Sequence, residues 1–73
     1  MSKKDKSGSF IRLAEARTNK ALDQIRVIGN LANRNNYSYS DDQAKKIIAA
    51  LKQAVNETEA KFKSAANSHK FEL

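Results

Sequence analysis

The sequence contains no cysteine, no proline and no tryptophan, and only two glycines and one histidine among 73 residues. Without cysteine there is no disulfide and no thiolate chemistry. With His69 as the lone imidazole, the usual zinc ligand sets cannot be assembled either. The scarcity of proline and glycine excludes the turn-dense punctuation of a sheet fold and favours long, uninterrupted helix. The longest apolar run, Ile47–Leu51, is far below the roughly 20 residues that cross a bilayer. The charged opening Met1–Lys6 has no apolar segment of signal-peptide length behind it. These absences predict a cytoplasmic chain without stable membrane insertion.

Catalytic constellations are missing as well. No Ser/His/Asp or Cys/His set, Gly-rich phosphate loop or HExxH spacing occurs. Glu57 and Glu59, two residues apart, diverge on a helix instead of converging on a substrate. A helical pair also offers no concavity for a small molecule. The expectation is a non-enzymatic protein with no catalytic residues, cofactor, metal or small-molecule substrate. His69 continues an apolar stripe and is expected to pack or to cap a helix end.

What remains is charge and periodicity. The net charge is +6. Residues 1–39 hold eight Lys/Arg against three acids, a net of +5, and residues 40–73 hold six against five, a net of +1. Charge so placed favours an acidic partner, nucleic acid or an acidic protein surface. Residues 1–8 read as a flexible basic arm, with Ser9 placed to cap the first helix. Ile11, Ala14, Thr18, Ala21, Ile25, Ile28 and Ala32 then recur every three or four residues, widened by Phe10, Leu22 and Leu31. That spacing predicts a helix over about residues 10–34. Asn33-Arg34-Asn35-Asn36 closes it, since asparagine tolerates left-handed backbone and competes for backbone hydrogen bonds. Ser40-Asp41-Asp42-Gln43 is a capping box. It opens a second helix over about 41–67, striped by Ala44, Ile48, Leu51, Val55, Thr58, Phe62 and Ala65. Residues 69–73 form a tail.

The stripes match in one antiparallel register, Ile28 with Ile48, Ile25 with Leu51, Ala21 with Val55 and Ala14 with Phe62, setting small against large. The expected fold is therefore all-α: an antiparallel two-helix hairpin over residues 9–68 that dimerises into a four-helix bundle, the alternative being a monomer with its tail folded over the groove. Stripes this wide suit two neighbours better than one. Gly29 costs about 1 kcal/mol relative to alanine inside a helix, and close helix approach, or room for a ligand or partner backbone, is the expected compensation. Over roughly residues 9–67 this architecture is similar to that of small plasmid-encoded RNA-binding regulators built as antiparallel dimers of helical hairpins. The likeness is one of fold, which does not by itself carry function.

One polar patch stands out. Arg26, Asn30, Asn33 and Tyr37 advance by three or four residues and would share a face if the helix ran that far, with Arg34, Asn35, Asn36 and Tyr39 around the turn. Arg and Asn read phosphates and base edges, and Tyr stacks on unpaired bases. The same residues also anchor protein interfaces, or simply end a helix and cover the open end of a core. The expected binding residues are Lys3, Lys4, Lys6, Arg12 and Arg26 for phosphates, with Asn30, Asn33, Arg34 and Tyr37 for selectivity. The partner is DNA or RNA, or else a protein docked on the same tip.

Overall fold

The structure is a computed structural model that describes residues 6–67. Among the described residues the chain is all-α, without strands. Helix α1 spans Lys6–Gly29 and tightens into a 3-10 turn at Asn30–Ala32; helix α2 spans Asp41–Asn67, and residues 33–40 join them.

Helix α1 begins earlier than its capping signal implies. Ser9 lies inside the helix and caps nothing at its start. Once residues from Phe10 onward are helical, each added residue gains one backbone bond, whereas only nucleation is costly. The helix therefore runs back through Ser9, Gly8 and Ser7 to Lys6. No acid stands in its first turn, and Arg26 stands in its last, where a cation favours the carbonyl end.

Its other end differs from expectation in mechanism. No described residue has a positive φ, so no left-handed residue closes the helix. Asn33 is extended instead, at φ −70° and ψ 102°, and three bonds converge on it. Its carbonyl accepts the amides of Asn36 at 3.1 Å and Tyr37 at 3.0 Å. Its side-chain Oδ1 accepts the Asn35 amide at 2.9 Å. This is an Asx turn, the backbone competition for which asparagine is suited.

The start of α2 follows the sequence closely. The Gln43 amide donates to Ser40 Oγ at 3.0 Å, and the Ser40 amide donates to Gln43 Oε1 at 2.8 Å. The Ala44 amide donates to the Ser40 carbonyl at 3.1 Å and closes the first helical ring. Asp41 and Asp42 occupy the first turn, where exposed N–H groups favour negative charge. Tyr39 and Ala44, the two positions of a hydrophobic staple, are both half-buried. Ser40→Ala is expected to destabilise α2 by about 1 kcal/mol, measured as a lower helical melting temperature. Faster exchange of the Gln43 amide should accompany it.

Along α2, Thr58 Oγ1 donates to the Ala54 carbonyl at 2.9 Å, which satisfies its hydroxyl and lets it occupy the apolar stripe. The opposite face is an ordinary solvated one. Gln53 Nε2 donates to Glu57 Oε2 at 2.9 Å, and Lys63 pairs with Glu59 at 3.5 Å.

Neither helix buries its stripe: none of the described residues is buried. Leu13, Ala14 and Ile28 of α1 and Ala44 and Leu51 of α2 are half-buried. Phe10, Ile11, Leu22 and Ile25 of α1 are exposed, as are Ile47, Ile48, Val55 and Phe62 of α2. No described helix is long and apolar enough to cross a membrane.

Candidate functional site

The expected tip is assembled at the C-terminal end of α1. Arg26 sits in the last turn of the helix, Asn30 opens the 3-10 turn and Asn33 forms the corner. Arg34, Asn35 and Asn36 make the turn, Tyr37 leaves it, and all of these residues are exposed. The single helical face drawn through Arg26, Asn30, Asn33 and Tyr37 does not persist to its end. A 3-10 turn advances three residues per revolution where an α-helix advances 3.6, and the extended Asn33 then breaks the progression. Tyr37 returns by another route. Its amide bond to the Asn33 carbonyl is an isolated i→i+4 turn, which holds it within one turn of Asn33.

Two of the expected contact residues are partly engaged inside the chain. The Asn33 side-chain oxygen serves the turn. The Arg26 guanidinium donates to the carboxylate of Asp23, one turn earlier. Both partners of that pair are exposed, so solvent screens it. The guanidinium has five N–H donors, and one carboxylate oxygen leaves others to direct at an acceptor.

The remaining expected contacts lie elsewhere on α1. Arg12 is exposed near its beginning, and Lys6 is its first residue. Lys6 and Arg26 are 20 residues apart on one helix, about 30 Å at 1.5 Å per residue. Lys3 and Lys4 of the arm lie outside the described residues, as do His69 and the tail. The described site residues thus form two groups, Lys6 with Arg12 and Arg26 through Tyr37.

Val27 is a residue that pattern reading passed over. It lies off the main stripe yet is exposed, as is Leu31 one turn later. Their i, i+4 spacing was the available signal, and it places apolar surface beside the polar tip. Elsewhere, an open depression on α2 is lined by Ala44, Lys45, Ile48, Ala49 and Lys52. No group of His, Cys, Asp and Glu able to hold a metal occurs among the described residues. The tip carries guanidinium and amide donors, and a phenol ring that is 49 % exposed.

No family model, curated protein or solved structure matches this chain.

Proposed function

We propose that the protein is a non-enzymatic nucleic-acid-binding accessory or regulatory factor acting as a homodimer, its helices gathered into a four-helix bundle. The observation that carries this reading is the charge distribution. Residues 1–39 bear a net +5, and α1 starts at Lys6 with no acid in its first turn. The cationic side chain and the positive pole of the helix there reinforce one another. Lys3, Lys4, Lys6, Arg12 and Arg26 contact phosphates, while Asn30, Asn33, Arg34 and Tyr37 add selectivity by hydrogen bonding and stacking. Dimerisation supplies the cover that the wide stripes lack.

A second reading has its own support. Arg26 is engaged with Asp23, and Tyr37 stands near the exposed Val27 and Leu31 in the chain. An aromatic beside apolar and guanidinium groups is the composition of a protein-binding hot spot. In that case the tip docks on an acidic protein surface.

Amide-resolved NMR titration with a short duplex and a short single strand, repeated across salt, separates the two. Nucleic-acid recognition gives saturable shifts over Arg26–Tyr37 that survive near-physiological salt. Diffuse, lysine-centred shifts that vanish as salt rises reject it. Tyr37→Ala is expected to cost about 5- to 150-fold in single-strand affinity, from about 1–3 kcal/mol for lost stacking on a base.

A further inference from the structure

Helix α1 carries a second row of side chains, set about 150° around the helix from its apolar stripe at 3.6 residues per turn. Asn19, Asp23, Arg26 and Asn30 recur at intervals of four, three and four residues, which keeps them on one face. Gly29 has right-handed helical backbone, at φ −61° and ψ −27°, so Asn30 holds its place in the row although it opens the 3-10 turn. The row lies wholly within α1 and that turn and stops before the corner at Asn33. Asn19 and Asn30 end no helix, and asparagine is a poorer helix former than alanine. Arg26 donates to the Asp23 carboxylate one turn earlier. This charge-assisted bond orients the guanidinium in the row and leaves further N–H donors for an acceptor. Val27, on the same side of the helix, is 47 % exposed.

We propose that this row reads base edges in the major groove of duplex DNA. The inference rests on the nucleic-acid reading above and names its substrate class; on a preferred sequence Arg26 exchanges a phosphate for a guanine. The major groove admits an α-helix, and the residue types match its code. Arg pairs two N–H donors with guanine O6 and N7, and Asn pairs with adenine N6 and N7. Val27 supplies the apolar contact that a thymine methyl takes. From Asn19 to Asn30 the row spans about 16 Å at 1.5 Å per residue, about five base pairs at 3.4 Å each. Charge suits the same partner, since α1 holds five Lys/Arg against Glu15 and Asp23. The row has no aromatic or other large apolar anchor, around which a protein-binding hot spot is built. Duplex RNA is a poorer fit, because its major groove is deep, narrow and closed to side chains.

The experiment selects bound sequences from a pool of randomised DNA duplexes with the full-length protein. Affinity is then measured for the selected duplex, a scrambled one and the RNA duplex of the selected sequence. The expected result is an enriched site of about five base pairs, whose strongest position is a G·C pair flanked by A·T pairs. Arg26→Lys keeps the charge and loses the planar fork. It is expected to cost about 5- to 150-fold on the selected duplex, a smaller factor on the scrambled one, and to relax the choice at the G·C pair. Asn30→Ala, which favours the helix, is expected to relax the choice at one A·T pair. Asp23→Asn removes an acid from the row and is expected to strengthen scrambled-duplex binding while lowering the preference for the selected site. Bound duplexes without an enriched sequence, or equal affinity for the RNA duplex, overturn the inference and leave the nucleic-acid reading standing. An enriched site whose preferences survive both Arg26→Lys and Asn30→Ala overturns the assignment to this row. No binding of any duplex or single strand at low salt rejects the functional reading itself, and this inference with it.

Discussion

Leu51→Asp is expected to abolish the proposed self-association and to remove much of the helicity of α2. Leu51 is the half-buried leucine near the middle of α2, with Ile47 and Ile48 one turn before it and Val55 one turn after. The stripe it centres is exposed, and in the proposed dimer association completes its packing. A carboxylate there either enters that packing without a partner or keeps the faces apart, and an uncompensated buried charge is strongly disfavoured. A loss of about 4 kcal/mol is of the expected size, which corresponds to roughly a thousandfold in association constant. Helicity falls with it, because a helix with no packed face is marginal in water. Asn56→Asp, on the solvated face of the same helix, introduces the same side chain and should leave both quantities nearly unchanged. Equal sedimentation of Leu51→Asp and the unaltered protein would falsify the buried role of this stripe.

Reversing the three N-terminal lysines together, Lys3→Glu, Lys4→Glu and Lys6→Glu, is expected to weaken duplex binding at least a hundredfold at low salt. Each phosphate contact contributes about 0.9 to the slope of log affinity against log salt, so losing three flattens that slope by about 2.7. The change should not act through the fold. Lys6 opens a helix whose first turn holds no acid, and a glutamate there would favour the helix dipole. Helix content should therefore hold or rise while affinity falls, which separates lost phosphate contacts from unfolding. Unchanged affinity with an unchanged salt slope would remove the arm from the site. The tip would then have to act alone.

Local chemistry was legible in this sequence wherever it was self-contained. Ser40 and Gln43 carry everything their reciprocal bonds require within four residues, and both bonds form. The helical stripes were equally plain, because periodicity needs no knowledge of what covers a face. The start of α1 was misplaced because Gly8 and Ser9 resemble a cap, while the ease of extending an established helix leaves no mark in composition. The end of α1 was located near the right asparagine with part of the wrong mechanism. Asn33 closes it through its side chain and carbonyl in extended backbone, not through a left-handed residue. The tip was legible in residue type but not in geometry. Extending one helical face to Tyr37 ignored the 3-10 turn at Asn30–Ala32, which changes the angular step by a small amount per residue and so escapes hydrophobic patterning.

The absence of left-handed backbone in the connection also bears on how freely that segment can vary. The turn takes from Asn35 and Asn36 their main-chain N–H groups, which every residue except proline supplies. With no positive φ to accommodate, neither position needs asparagine on conformational grounds. A library randomised at both, proline aside, should pass a selection for folding almost intact. Depletion in a selection for activity would then record the demands of the partner with little confounding by stability, so this short stretch can serve as a mutational reporter of whatever the protein binds.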